Sequence, residues 1–159
     1  MTKLLKLLEQ DCTLTDEQLA SMTDMTLEEV IAAKAKLEAE KIVLGYKAIV
    51  DWDRTQREAV TALIEVKVTP QRGEGFDRIA ERIYQYDEVE SVYLMSGSFD
   101  LTVIISGRTL KEVALFVGEK LAPLDDVTGT ATHFILRKYK EKHLIFDKQE
   151  IQEERFVLD

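Results

Sequence analysis

The chain has few of the residues that build covalent or metal-bound frameworks. Of its 159 residues, one is a cysteine (Cys12), two are prolines and two are histidines. A single cysteine cannot form an internal disulfide, and neither a CxxC pair nor a Cys/His cluster is present, so we expect no disulfide framework and no metal site. A reducing compartment fits this composition.

Long apolar runs are also missing. No run approaches the roughly 18 residues that a membrane-spanning helix needs. The first ten residues mix lysine and glutamate among their leucines, and no small-residue cleavage site follows them. The pattern is not that of a signal peptide. We therefore expect a cytoplasmic protein that has no membrane partner.

The short motifs that mark catalytic or nucleotide sites do not occur. There is no GxSxG, no P-loop and no GxGxxG. His133 and His143 are not at a spacing typical of metal ligands, and the acidic pair Asp125-Asp126 is typical of a solvated loop. We expect no catalytic residue, no cofactor and no enzymatic activity.

Positive charge is scarce for a nucleic-acid-binding protein. The 21 lysines and arginines face 30 acidic residues, which gives a net charge of −9. Residues 1–57, 58–140 and 141–159 each carry a net charge of −3, so no segment is a basic domain. DNA affinity depends largely on cations that meet phosphates. We expect any DNA binding to be weak per subunit and to depend on avidity in an oligomer.

Two capping boxes organise the N-terminal segment. They are Thr15–Gln18 and Thr26–Glu29, and they follow an amphipathic helix that ends near Gln10. A short helix, a four-residue turn at 22–25 and a longer helix to about Glu40 form the helix-turn-helix pattern. The second helix should bury Leu19. The inner stripe of the third helix is predicted to be Val30, Ile31 and Leu37.

A β-wing and a linker are predicted next. Residues 42–50 form an apolar run that Gly45 could turn, which favours a small wing. Residues 51–58 are polar and are interpreted as a linker. The predicted N-terminal domain therefore covers 1–50.

The remainder alternates strand and helix signals in the order β-α-β-β-α-β. This is the ferredoxin-like pattern, with two helices on one face of a four-stranded antiparallel sheet. The other face is open and partly apolar, so we expect a partner to bury it, most simply another copy of the chain. We assign this domain to 59–140 and an acidic tail to 141–159. The predicted elements are Ala59–Val68, a loop at 70–75, Phe76–Tyr86, Val89–Met95, Asp100–Ser106, Thr109–Leu121 and Val127–Tyr139.

Up to about Tyr139, the chain resembles the Lrp/AsnC family of leucine-responsive, or feast/famine, transcription regulators. The resemblance rests on the capped helix-turn-helix, on Gly45–Asp51, on Val92–Leu101 with its Gly97-x-x-Asp100 hairpin, and on Asp126–Thr132 at the last strand. It implies an α+β fold: an N-terminal winged helix-turn-helix and a C-terminal ferredoxin-like βαββαβ (RAM-type) domain.

The resemblance also implies a function and an assembly. Family members bind double-stranded DNA and respond to a small metabolite, which we expect to be an amino acid. Their dimers form through the C-terminal sheets and build tetramers or octamers. A crevice between dimers holds the effector, although the same loops could serve only as assembly contacts. The effector residues implied for this chain are Ser96, Gly97, Ser98, Phe99, Asp100, Thr130, Thr132 and His133.

The chain departs from the family pattern where DNA would be read. Residues 27–40 hold two lysines and four glutamates, whereas family recognition helices carry several arginines or lysines. Lys41 replaces the glycine that usually precedes the wing. One alternative is therefore a metabolite-binding oligomer whose helix-turn-helix has lost DNA affinity and acts as an interaction module. The candidate DNA contacts are Thr26, Lys34, Lys36, Lys41 and Lys47.

Overall fold

A computed structural model describes residues 1–69 and 75–146. The chain divides into two compact units, Met1–Ile49 and the part that begins at Val50. The segment interpreted as a linker is grouped with the second unit and contains one short 3-10 turn, Trp52–Arg54. Most of the loop predicted at 70–75, and the acidic tail from residue 147 onward, lie outside the described residues.

The first unit is a three-helix bundle: α1 (Thr2–Gln10), α2 (Asp16–Thr23) and α3 (Leu27–Ala39). Both predicted capping boxes are formed. The amide of Gln18 donates to Thr15 Oγ1 and that of Glu29 donates to Thr26 Oγ1, each at 3.2 Å. Each cap satisfies backbone donors that have no partner within the helix. The core of the bundle comprises Leu4, Leu8, Leu19, Val30, Ala33 and Leu37.

The inner stripe of α3 differs from the prediction at one position. Ile31 is 50% exposed, and Ala33 is buried in its place. Residues three and four apart share a helix face, so Ala33 lies between Val30 and Leu37 on the inner side. The helical period determines which residues of α3 share a face, whereas the packing of α3 within the bundle determines which of those faces is buried.

The β-wing predicted at 42–50 is not formed, and this corrects the sequence analysis. Within this segment the chain forms no strand, and every residue except Val43 is exposed. The amides of Ile42 and Val43 instead donate to the carbonyl of Leu37, at 2.9 and 3.1 Å. An isolated two-stranded hairpin is only marginally stable, and this one would have no packed face to support it.

Lys41 ends α3 in a left-handed conformation, with φ +57°. Its amide donates to the carbonyl of Glu38, while that of Ile42 reaches back to Leu37. These two bonds form a Schellman motif, in which the left-handed position usually belongs to glycine. The chain therefore keeps the backbone turn that the resemblance assigns to glycine, but with a lysine.

The second unit has a four-stranded antiparallel sheet in the order β2-β3-β1-β4. Two helices cover one of its faces, as the β-α-β-β-α-β order predicted. A small hairpin, β5 and β6, follows the sheet. The elements are β1 (Val60–Val68), α4 (Asp77–Tyr84), β2 (Val89–Leu94), β3 (Leu101–Gly107), α5 (Leu110–Phe116, continued by a π-helical turn at Val117–Leu121), β4 (Val127–Phe134), β5 (Lys140–Glu141) and β6 (Leu144–Ile145).

The last strand of the sheet is shorter than predicted. It ends at Phe134 and not at Tyr139. Phe134 pairs with Ala62, and the amide of Ile135 makes the final bond, to the carbonyl of Thr61 at 2.9 Å. Since β1 begins at Val60, which lies opposite Leu136 in this register, residues beyond Leu136 have no partner strand on that side.

The alternation predicted for β1 is confirmed. Ala62, Ile64 and Val66 are fully buried against the helices, whose innermost residues include Ile79 and Ile83. Leu63, Glu65 and Lys67 point to the other face, which no described helix covers. Within residues 1–69 and 75–146, no helix is both long enough and apolar enough to cross a membrane.

The left-handed backbone of Lys41 predicts that Lys41→Gly stabilises the protein. Glycine adopts positive φ without the steric penalty that other residues incur, so we expect a gain of about 1 kcal/mol in the free energy of unfolding. Lys41→Ala removes the same charge and keeps a Cβ, so it should change stability by less than about 0.5 kcal/mol. Urea denaturation of both variants tests this. A lower stability for Lys41→Gly would contradict the conformation described for this residue.

Candidate DNA-reading helix and effector hairpin

Thr26 lies at the start of α3, the end of a recognition helix that points toward the bases. It is exposed, and its hydroxyl oxygen accepts the Glu29 amide while the Glu29 carboxylate accepts the Thr26 amide at 2.8 Å. The hydroxyl hydrogen remains able to donate to a phosphate. Thr26 therefore caps the helix and also lies where a DNA contact is expected.

Lys34, unlike the other candidate lysines, is held in a close ion pair. Its ammonium is 2.6 Å from Asp16 Oδ1 on α2, and its side chain is only 25% exposed. The hydrogen bond to Asp16 raises the pKa of Lys34. A lysine already neutralised by a close carboxylate has little charge left for a phosphate. The ion pair between Lys34 and Asp16 connects α3 to α2.

Three lysines remain exposed at the C-terminal end of α3 and just beyond it: Lys36, Lys41 and Lys47. Lys36 is 3.8 Å from Glu40 Oε1, with 63% of its side chain exposed. Exposed pairs of this kind are weak, so they leave the ammonium available. Of the four candidate lysines, Lys34 is therefore held in an ion pair, and the other three are accessible.

The Gly97-x-x-Asp100 hairpin joins β2 to β3. Ser96, Gly97 and Ser98 are exposed, and Phe99 and Asp100 are half-buried. Gly97 has φ +136°, and a Cβ built there would meet nothing within 4 Å. The glycine is therefore needed for its backbone conformation and not to make room for a neighbour.

Asp100 fixes the hairpin against β1. Its Oδ2 accepts the amide of Val68 at 2.9 Å, and its own amide donates to the carbonyl of Val66 at 3.1 Å. Its carbonyl accepts the amide of Met95 at 2.8 Å, which closes the hairpin. The sequence left open whether Asp100 accepts from a backbone amide or from a ligand ammonium. In the structure, one carboxylate oxygen bonds to a strand amide.

The three candidates on β4 lie on opposite faces of the sheet. Thr130 and Thr132 pair with Val66 and Ile64, so they share the helix-covered side. His133 pairs with Leu63 on the uncovered side, where its Nε2 is 3.2 Å from Glu65 Oε1. Thr130 lies across β1 from the first residue of β3, since Val66 pairs with both Leu101 and Thr130. The fold therefore places Thr130 near the hairpin and directs His133 away from it.

Two functional neighbours were not predicted. The first is the backbone amide of Val68, which donates to Asp100. A backbone group is present at every residue except proline, so the sequence does not single it out. Glu65 belongs to the outward set of β1, and alternation alone could have placed it on the open face. Its meeting with His133 depends on the register of β1 against β4, which a single sequence does not determine. Among the described residues, no group of three or more His, Cys, Asp or Glu side chains could hold a metal ion.

The two units define a helix-turn-helix transcription regulator with a second, sheet-bearing domain. The profile of the Lrp/AsnC ligand binding domain matches residues 61–145. Over 147 residues, the chain is 48% identical to the uncharacterized HTH-type transcriptional regulator YugG of Bacillus subtilis, covering 92% of this chain and 89% of that protein. The chain belongs to the Lrp/AsnC family of transcription regulators.

Solved structures agree in fold. The transcriptional regulator NMB0573 of Neisseria meningitidis, crystallised with L-methionine, superposes with a TM-score of 0.70 at 20% identity, over 87% of this chain and 89% of that one. The leucine response regulatory protein LrpA of Mycobacterium tuberculosis gives a TM-score of 0.74 at 19% identity, over 89% and 94%. The names of the relatives agree with the expectation of a regulator and not an enzyme.

The bond from Val68 to Asp100 predicts a difference between two substitutions. Asp100→Asn keeps a carbonyl oxygen that can accept the amide, so we expect a loss below about 1 kcal/mol. Asp100→Ala leaves a half-buried amide without its partner and should cost about 1–3 kcal/mol. Thermal denaturation measures both, with Ser98→Ala on the exposed part of the hairpin as the control. Equal losses for Asn and Ala would mean that this hydrogen bond does not hold the hairpin.

Proposed function

We propose that this transcription regulator acts as an oligomer that binds double-stranded DNA through α3 and responds to an amino acid bound at the 96–100 hairpin. The observation that carries the proposal is the position of that hairpin. Asp100 holds it against the end of β1, beside Thr130 of β4, within the part of the chain that matches a ligand-binding family. We propose the cytoplasm as the place of action.

The crevice is proposed to contain Ser96, Gly97, Ser98, Phe99, Asp100 and Thr130, with Thr132 further along the same face. In support, the exposed hydroxyls and amides of the hairpin can bind a carboxylate, and the Asp100 oxygen not bonded to Val68 can accept from an ammonium. Phe99 offers an apolar surface. A protein of the same fold, NMB0573, was crystallised in complex with L-methionine, which supports an amino acid as the ligand. We assign His133, on the other face, to subunit assembly.

The proposed dimer forms through the uncovered face of the sheet. That face carries Leu63, Tyr93 and Ile104 together with the Glu65–His133 pair. Tyr93 is 52% exposed in the single chain. A second copy would bury these side chains in a symmetric contact, and dimers would then build tetramers or octamers.

A second candidate function is favoured by the charge of the reading helix. Residues 27–40 carry a net charge of −2, and one of their two lysines is tied to Asp16. In this alternative, the protein is a metabolite-binding oligomer whose helix-turn-helix contacts a protein and not DNA. The two functions make opposite predictions for the exposed lysines.

Gel-shift titration against the promoter region of the protein's own gene separates the two functions. We expect binding at low salt, and Lys36→Ala, Lys41→Ala and Lys47→Ala should each lower the salt slope by about 0.9 where the lysine neutralises one phosphate. Lys34→Ala should have a smaller effect because Asp16 already neutralises that charge. Lys111→Ala, which changes an exposed lysine of the second unit, is the control. Absence of binding to any genomic fragment at low salt would favour the interaction module.

A thermal-shift screen of the twenty amino acids tests the effector. A ligand that binds only the folded state at about 100 times its Kd adds about 2.7 kcal/mol, which is several degrees for a chain of this size. Ser98→Trp fills the proposed crevice and should abolish the shift, whereas Ser21→Trp at an exposed position of α2 should not. If no amino acid shifts the melting temperature, the effector assignment is wrong.

A further inference from the structure

The small hairpin that follows the sheet is strongly basic. It comprises residues 137–145 and includes β5 and β6, and we call it the basic hairpin. These residues hold four lysines and arginines and one glutamate, a net charge of +3, in a chain whose net charge is −9. The basic hairpin therefore concentrates positive charge on an otherwise acidic protein. Its cations are Arg137, Lys138, Lys140 and Lys142.

The tip of the basic hairpin has a strained backbone. Glu141 pairs with Leu144, so Lys142 and His143 form a two-residue turn, and their φ angles are both positive, 45° and 71°. Positive φ at both positions is the type I′ geometry, which favours Asn-Gly. Residues other than glycine that hold such a conformation cluster at functional sites. The chain thus presents two basic side chains at the tip, where asparagine and glycine would fit the turn better.

Three of the four cations have no counter-charge in the single chain. The ammonium of Lys138 lies 3.0 Å from Glu141 Oε2, so this lysine is already paired. The other three are exposed, and in the part of the chain that the structure describes none has a carboxylate within ion-pair distance: Arg137, Lys140 and Lys142. These three positive charges are therefore accessible to an anionic partner.

Charge indicates the partner of the basic hairpin. Double-stranded DNA carries one negative charge per about 1.7 Å of its axis, and lysine and arginine contacts to its phosphates supply affinity that does not depend on sequence. A two-fold contact with a second copy would instead place one +3 hairpin against another, because such an interface brings the same patch of both subunits together. The reading helix has little positive charge of its own, since residues 27–40 carry a net charge of −2. A basic surface outside that helix supplies what it lacks.

We propose that the basic hairpin is a second DNA-binding surface, which contacts phosphates without reading sequence. Arg137 can bind two phosphate oxygens at once, whereas Lys140 and Lys142 each act as a point charge. The guanidinium of Arg137 lies over the ring of Tyr139 at 5.2 Å. Contact through the flat face orients the guanidinium and leaves its N–H groups available to an anion. The inference rests on the proposed DNA binding and adds contacts outside the helix-turn-helix.

Salt titration of DNA binding by the full chain tests the proposal with two duplexes, one from the promoter region of its own gene and one of unrelated sequence. The variant Arg137→Gln/Lys140→Gln/Lys142→Asn removes the three accessible charges. Asparagine is chosen at the turn because it accepts positive φ, so the hairpin keeps its geometry. Each phosphate contact contributes about 0.9 to the slope of log K against log salt, so we expect the slope to fall by about 2–3 on both duplexes.

A matched variant removes the same amount of charge from the same unit. Arg82→Gln/Arg108→Gln/Lys111→Gln neutralises three exposed cations of α4, of the turn before α5 and of α5 itself. It should leave the slope unchanged. All six substituted residues are exposed, so neither variant should lower the melting temperature, which verifies folding. Equal losses of slope in the two variants would mean that net charge and not the basic hairpin controls binding, and would overturn the proposal.

The same data separate this inference from the proposed function. If the wild-type chain binds neither duplex at low salt, the proposed DNA binding is wrong and the inference is wrong with it. If the wild-type chain binds and the hairpin variant keeps the full slope, only the inference is overturned. Leu144 and Ile145 of the basic hairpin are also exposed, by 56% and 75%, so analytical ultracentrifugation of the same variant is added. Loss of assembly with an unchanged slope would assign the hairpin to subunit contacts and overturn the inference.

Discussion

The central strand β1 is the constraint on which the second unit depends. It pairs with β3 along one side and with β4 along the other, and its inner residues Ala62, Ile64 and Val66 are fully buried. A shift of one residue in its register would turn this apolar set toward solvent. Because β1 is fixed, the Val68 amide lies where Asp100 can bind it, and the hairpin takes its place beside β4.

The same strand contributes to the two surfaces that we propose for effector binding and for assembly. Its end at Val68 lies beside the proposed effector crevice. Its outward side forms the centre of the face we assign to assembly. A ligand in the proposed crevice would contact elements that are hydrogen-bonded to β1, so ligand binding and assembly could be coupled through this strand. Such coupling requires differential binding to two states.

In the helix-turn-helix unit, the charges that stabilise the fold are unfavourable for DNA binding. The glutamates at the start of α3 favour the helix, because acidic side chains stabilise its N-terminus, and Glu29 completes the capping box. The same acids repel phosphates. Lys34 serves the bundle by binding Asp16. The exposed lysines Lys36, Lys41 and Lys47 are what remains for DNA, so affinity per subunit should be low.

The sequence by itself determined the element order, both capping boxes and the alternation of β1, because caps and periodicities are local. It also pointed to the Gly97-x-x-Asp100 hairpin. Only the tertiary structure decided that residues 42–50 form no wing, that Ala33 replaces Ile31 in the core, that Lys34 pairs with Asp16, and that His133 lies on the other face of the sheet from Thr130 and Thr132. Those outcomes depend on register and on which helix face meets a neighbour. Both are set by contacts between residues far apart in the chain, which no local pattern encodes.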